Sequence, residues 1–213
     1  MLRIWGRISS INVRKVVWCA QELGLAFERI DAGRDFGIVQ TPEYRALNPN
    51  SLVPTIEDEL DGERVVLWES NVVVRYLCAR HASGTLYPGK LAARFDAERW
   101  MDWQQTTLNP AGRDAFMQWV RTPPERRDAA AAARSVAATE LLFARLDGHL
   151  ATRMHMTGDA LTIADFPIGC EVHRWFGLPA AEYRRPRWPN VERYFAMLRA
   201  RPASRGVLDL ALE

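Results

Sequence analysis

Every convincing strand pattern in this chain lies within its first eighty residues, and the remainder reads as helix. A chain divided in this way does not build one continuous sheet. It folds as a small α/β unit followed by an all-helical one. Within the first part, "LRIW" (Leu2 to Trp5) is a short strand stopped by Gly6. Val13, Val16, Val17, Ala20 and Leu23 then recur at helical spacing, with Gly24 as the stop. "AFERID" alternates as a half-buried strand, and in "TPEYRALNP" Thr41 caps a short helix that has Pro42 at its first position. "PTIED" and "RVVLW" flank an Asp61-Gly62 turn, a hairpin signal, and "NVVVRYLCARHA" after "ES" reads as a helix. The order expected is β-α-β-α-β-β-α over residues 1–82.

The Gly/Pro-bearing stretch 83–91 reads as a linker to a helical domain at 92–213. There, long helices are expected from about Ala92 to Val120 and from about Glu125 to Ala151, broken at "RTPPE". Two more are expected from Thr162 to about Phe176 and from about Pro189 to Ala200. In "DALTIADFPIG", Thr162 and Asp165 form a capping box with Leu161 and Phe166 as its hydrophobic staple. Asp165 is therefore expected to be buried and structural.

The 213 residues are 48% hydrophobic and 25% charged, with a formal charge of +2 from 28 basic and 26 acidic side chains. That balance disfavours a polyanion partner, so no nucleic acid is expected. No apolar run approaches a membrane span, and "MLRIWGR" is too soon interrupted for a secretory signal, so a cytoplasmic location is the expectation. Cys19, Cys78 and Cys170 form no C-x-x-C pair and are expected to be reduced, buried and structural. The four histidines lack a credible ligand spacing, and Cys170-x-x-His173 alone is a weak signal, so no metal is expected.

Three short stretches carry chemistry. In "NPNSLVPTI", a cis bond between Val53 and Pro54 turns the Val53 backbone outward to pair with a peptide-like ligand; the plainer reading is a trans proline at a strand edge. In "WESNVVV", Ser70 either caps the helix or, with the first-turn N–H groups, holds a ligand carboxylate. Glu69 beside it then meets a ligand amine, and an adjoining anion and cation site suits an α-amino-acid head group. In "GRISSINVRKVVW", Ser9, Ser10 and Asn12 stand where a strand gives way to a helix.

Taken together, "SSINVRKV", "NPNSLVPTI", "ESN" and "LTIADF", in this order and spacing, resemble the glutathione S-transferases, in the bacterial, theta-like, serine-type part of that family. The resemblance implies a thioredoxin-like N-terminal domain, an all-α C-terminal domain, usually a homodimer, and a role in detoxification. It implies that glutathione is the co-substrate, with Val53 pairing its cysteinyl backbone and Glu69 and Ser70 holding its γ-glutamyl end. The reaction implied is attack of the glutathione thiolate on a small hydrophobic electrophile. A dehalogenase or isomerase on the same scaffold, or a non-catalytic binding or regulatory protein of this fold, is the alternative.

A free thiol has a pKa of roughly 8.5 and is a few per cent thiolate at neutral pH. A hydroxyl donating to sulfur at a helix N-terminus stabilises the thiolate, and a drop of about one to two units corresponds to roughly 1.4 to 2.7 kcal/mol. In the serine-type pattern S-x-x-x-R-x-V, counting back from Arg14 gives Ser10. Ser9 is adjacent and Asn12 also carries a donor, so all three stand as candidates. Ser51 and Leu52 occupy positions that are often basic in the theta pattern, which leaves Gln40, Asn50 or Arg113 to contact the glycine carboxylate. The acceptor site is expected between the domains, lined by Trp103, Thr107, Arg113, Phe116 and Trp119. The plainer reading of Trp100 and Trp103 is core packing at helical spacing.

Overall fold

The computed structural model describes residues 1–213 and divides into two compact units, Met1–Tyr87 and Pro88–Glu213. The first holds strands β1 (Leu2–Trp5), β2 (Phe27–Ile30), β3 (Thr55–Leu60) and β4 (Glu63–Trp68) with helices α1 (Ile11–Glu22), α2 (Pro42–Leu47) and α3 (Ser70–His81). The strands form one mixed sheet in the order β2-β1-β3-β4. β1 and β2 run parallel through the α1 crossover, whereas β3 is antiparallel to both β1 and β4. Asp61 and Gly62, at φ of 54° and 82°, make the tight hairpin turn between β3 and β4. Two positive φ angles match the right-handed twist of the flanking strands.

The core of this unit follows from periodicity. Leu2 and Ile4 alternate inward from β1, and Val13, Val16, Val17 and Trp18 supply the buried face of α1. Val73, Val74 and Leu77 do the same from α3, which packs against α1. That packing brings Cys19 and Cys78, fifty-nine positions apart, to an Sγ–Sγ distance of 3.4 Å. All three cysteines are free and buried. Burial, and then the neighbouring Cys78 thiol, push the Cys19 thiol well above its ordinary pKa.

The second unit contains α4 (Leu91–Trp103), α5 (Asn109–Phe116), α6 (Ala129–Leu150), α7 (Asp165–Phe176) and α8 (Pro189–Arg199). The run expected as one helix from Ala92 to Val120 is interrupted by wide, π-type turns at 104–108 and 117–121. Of the stretch 83–91, Gly84 N–H donates to the Tyr87 carbonyl at 2.8 Å within the first unit, and Leu91 already opens α4. The helix expected from Thr162 starts instead at Asp165. Helix α7 is buried from Asp165 through Trp175 and forms the centre of this unit.

Asp165 itself is wholly buried. Its Oδ1 accepts from Met156 N–H (2.9 Å) and the Tyr194 hydroxyl (3.0 Å), and its Oδ2 accepts from Thr162 N–H (2.8 Å). This is the reach-back half of a capping box, with Leu161 and Phe166 both buried around it. Trp100 and Trp103 are half-buried, not core, and meet edge to face at 5.3 Å. The helical spacing that favours burial for both ignores the turn that follows Trp103. No helix is long and apolar enough to cross a membrane, and no group of three or more His, Cys, Asp or Glu residues is placed to hold a metal ion.

Candidate functional site

The sheet order gathers the chemistry-bearing residues of the first unit along one edge. β1, β2 and β4 end there and β3 begins there, so the segments after Trp5, Ile30 and Trp68 and the one before Thr55 all lie at that edge. Continuing the β3/β4 register from Thr55–Trp68 brings Val53 level with Ser70. Continuing β1/β3 from Trp5–Thr55 brings Val53 level with Arg7. Gly6 makes this approach possible: a Cβ there would come within 2.4 Å of Val13 Cγ2 and 3.2 Å of Val53 Cβ.

Ser10 is the residue before α1, with an extended backbone (φ −80°, ψ 124°) suited to a cap, yet its hydroxyl makes no capping hydrogen bond. Ser10 therefore does not serve as a side-chain helix cap. Its N–H donates to the Arg7 carbonyl at 3.1 Å, and its carbonyl accepts from Arg14 N–H at 3.0 Å. Buried Arg14 donates from Nε to the Ile8 carbonyl at 2.9 Å, which fixes the turn that carries Ser9 and Ser10. Ser9, Ser10 and Asn12 are half-buried, and the Asn12 Oδ1 has no hydrogen-bond partner. Three polar groups thus surround a helix start whose N–H groups have no side-chain cap, an arrangement suited to an anion.

At the other end of the edge, Glu69 rather than Ser70 takes the position before α3. Glu69 sits at φ 70°, in the left-handed region that a side chain seldom enters, and is exposed. Ser70 is the first helical residue and is buried, and no side chain caps this helix either. Ser70 therefore does not serve as the cap that its place in "WESNVVV" suggests.

Between these two helix starts, the Val53–Pro54 peptide bond is cis. The loop before it is fastened by residues that sequence reasoning missed. The Tyr44 hydroxyl donates to the Leu52 carbonyl at 2.7 Å and lies 2.8 Å from Thr55 Oγ1. Asn48 Nδ2 donates to the same carbonyl (3.0 Å) and to Thr55 Oγ1 (3.1 Å). All three are buried, and burial raises the Tyr44 pKa although the Thr55 contact opposes it. Tyr44 and Asn48 are spaced four apart around the short helix α2, the one local signal that could have paired them. Asn50 is also engaged, donating from its backbone N–H and Nδ2 to Asn48 Oδ1. Gln40, exposed, accepts from Arg45.

Trp103, Thr107, Arg113, Phe116 and Trp119 all fall on the interrupted helical run of the second unit. Trp103, Thr107, Phe116 and Trp119 are half-buried and Arg113 is exposed. Trp119 stacks on Tyr183 at 5.7 Å, while the Phe116 ring carries the guanidiniums of Arg121 (5.2 Å) and Arg174 (5.4 Å). Beneath the first wide turn, buried Gln104 donates to Glu171 Oε2 at 2.6 Å, and Asn109 donates to the same oxygen at 3.1 Å. Glu171 also pairs with Arg174. The wide turn is thus bolted to α7.

Comparison with known proteins is consistent with this arrangement. The N-terminal domain of the glutathione S-transferases matches residues 9–80, and their C-terminal domain matches residues 110–202. The chain belongs to the glutathione S-transferase family. It is 41% identical over 208 residues to glutathione S-transferase GstB of Escherichia coli, covering 98% of each chain. Among solved structures it resembles a theta class glutathione S-transferase of Xanthomonas axonopodis pv. citri with glutathione bound. That match has a TM-score of 0.93 and 42% identity over 100% of this chain and 99% of the other. A glutathione transferase from Burkholderia graminis, with two glutathione molecules bound per subunit, matches at a TM-score of 0.85 and 28% identity over 98% and 87%.

Proposed function

We propose that this chain activates the thiol of glutathione as a thiolate, which attacks the electrophilic carbon of a small hydrophobic substrate, forming a C–S bond as the leaving group departs with its bonding electron pair. Ser10 donates its hydroxyl hydrogen to the sulfur, with the uncapped first turn of α1 adding a favourable dipole, and the thiol proton leaves to solvent. Val53 pairs its backbone with the cysteinyl residue of glutathione. Glu69 meets the γ-glutamyl ammonium, and Ser70 with the first N–H groups of α3 holds the neighbouring carboxylate. Residues 1–82 serve as the glutathione domain and 83–91 as the linker. Residues 92–213 supply the acceptor side chains Trp103, Thr107, Arg113, Phe116 and Trp119, and the protein works as a homodimer in detoxification.

The observation that supports this reading most is the uncommitted Ser10 hydroxyl: it occupies the capping position, lacks a capping bond, and is half-buried. Ser9 and the Asn12 side-chain NH2 stand second to it as sulfur contacts.

The test is calorimetric binding of glutathione combined with a thiolate absorbance titration. Wild type binds at millimolar concentration or below, and Ser10→Ala raises the thiolate pKa by about one to two units, a loss of roughly 1.4 to 2.7 kcal/mol. Absence of binding at millimolar glutathione ends the enzyme reading. If Asn12→Ala raises the pKa while Ser10→Ala leaves it unchanged, the sulfur contact belongs to Asn12.

A further inference from the structure

We propose that Arg7, with Arg34 beside it, is the cation that holds the carboxylate at the glycine end of glutathione. This assignment rests on the glutathione reading above and completes it, because Gln40 and Asn50, two of the three residues expected at that end, carry no charge, and the third, Arg113, belongs to the second unit. Gln40 is bound by Arg45, and Asn50 folds onto Asn48. Both are neutral amides, which contact a carboxylate more weakly than a guanidinium does.

Topology says where the missing cation must be. The edge of the sheet runs β2-β1-β3-β4, so Val53, leading into β3, lies between Ser70 after β4 and the segments after β1 and β2. A ligand with its amino-acid end at Glu69–Ser70 and its middle at Val53 must carry its far end over β1 and β2. Neighbouring strands are roughly 4.8 Å apart, so from β4 to the β1–β2 pair is about 10 to 14 Å. A fully extended tripeptide spans about 10 Å, and the γ-linkage of glutathione lengthens it further.

Arg7 stands at that place. Its N–H donates to the Ala32 carbonyl at 3.2 Å, tying it to the segment after β2. A Cβ at Gly33 would lie 3.0 Å from the Arg7 Nη1 and 3.5 Å from Val53 Cγ1, so the guanidinium and the Val53 side chain both border this glycine. Gly33 has φ 82°, and Arg34 after it has φ 52°, two successive positive φ angles directly after the Ala32 carbonyl that Arg7 holds.

Other arginines of this unit have found partners: Arg3 pairs with Glu28, Arg29 with Asp31, Arg64 with Glu57 and Arg80 with Asp58. Arg7, by contrast, keeps a buried Nε without a hydrogen-bond partner. Burial and the Arg34 charge lower its pKa, and Asp35 offsets part of that effect. The half-buried Arg7, with the like charge of the exposed Arg34 acting on it, leaves a demand for an anion that Asp35 only partly meets. A carboxylate supplied by the ligand satisfies the demand, and it brings both acceptor oxygens to the planar fork of Arg7.

The experiment is a calorimetric cycle with two ligands, glutathione and its glycine ethyl ester, which keeps the thiol and γ-glutamyl end but lacks the terminal charge. Wild type is expected to bind the ester about tenfold more weakly than glutathione. Arg7→Met is expected to lose about tenfold for glutathione and almost nothing for the ester, and Arg7→Lys, which keeps the charge, to retain most of the affinity. The exposed Arg34→Gln, which leaves the packing untouched, is expected to show a smaller loss, also confined to glutathione. Equal weakening of both ligands by Arg7→Met, or equal binding of both by wild type, overturns the assignment while leaving the glutathione reading intact. Failure of wild type to bind glutathione overturns both. A shift in the bound thiolate pKa in Arg7→Met, with no discrimination between ligands, moves Arg7 to the sulfur and also overturns the proposal.

Discussion

Helix α1 starts behind Ser10 and helix α7 just beyond Thr162, and from sequence the two look alike: a hydroxyl residue, a short interval, then an apolar helical face. Near α7 the polar groups are spent on one another. Thr162 N–H, Met156 N–H and the Tyr194 hydroxyl converge on a carboxylate with no solvent exposure. At α1 the Ser10 hydroxyl caps nothing, the Asn12 carbonyl is unpartnered, and the turn is held from behind by Arg14. A satisfied helix start is an anchor. An unsatisfied one, rigidly held, is a place to bind something. The same residue types serve both ends, and the difference lies in whether a third group arrives to close the network.

The largest expected effect comes from opening the closed network. Asp165→Ala strips the acceptor from two buried N–H groups and from Tyr194, whose pKa burial and the Asp165 charge already push up. Each orphaned buried donor costs about 1 to 3 kcal/mol, so a loss of about 3 kcal/mol or more is expected in urea unfolding followed by tryptophan fluorescence. A change below about 1 kcal/mol would mean that water substitutes for the carboxylate and that α7 is less closed than its geometry indicates.

The counterpart at α1 is expected to be nearly silent in the same assay. Removing a working serine cap typically costs about 1 kcal/mol. Since the Ser10 hydroxyl makes no cap bond, Ser10→Ala is expected to change stability by less than about 0.5 kcal/mol while reducing turnover at neutral pH by about tenfold or more. A stability loss of a full cap without loss of turnover would invert the comparison, making Ser10 an anchor like Thr162.

Much of the frame of this comparison was legible. The Asp61-Gly62 hairpin, the Thr41-Pro42 helix start and the Asp165 anchor are each written in a few adjacent residues, because local turn and cap chemistry decides them. Ser10, Val53, Glu69 and Ser70 were nameable as candidates; that they share one edge follows from strand order, a long-range property. What escaped depends on contacts between distant residues or on a changed helical period. Cys19 meets Cys78 only because α1 packs on α3. The wide turns at 104–108 and 117–121 each shift the face that later residues present, so a 3.6-residue count carried from Trp100 to Trp119 goes out of step. Ser70 lost the capping position to Glu69 because the left-handed backbone at Glu69 begins the helix one residue earlier than a serine cap would. Arg7 had no motif, since its setting is made by Gly33 and Val53 from other strands.

The smallest effect probes the rim of the closed network through pH. His149 lies against Trp100, ring centroids 4.3 Å apart, and its Nε2 is 2.7 Å from the carbonyl of Met156, the residue whose N–H reaches Asp165. Burial lowers the His149 pKa below its ordinary value, and the Met156 hydrogen bond only partly opposes this. A group whose pKa falls on folding binds its proton more readily in the unfolded chain. Its contribution is therefore complete above the unfolded value of about 6.5 and is lost as pH falls through the folded value. Carboxylates with depressed pKa values, such as Glu57 and Glu192, also lose stabilisation in acid, so the informative quantity is a difference between proteins. His149→Gln keeps a donor for the Met156 carbonyl but has no proton to gain. Thermal unfolding at pH 7.5 and 5.5 is expected to show a smaller acid-induced drop in Tm for His149→Gln than for wild type. Equal drops would place the acid sensitivity elsewhere and leave the α7 anchor independent of His149, whereas a larger drop in the variant would mean that the histidine gains a partner when charged.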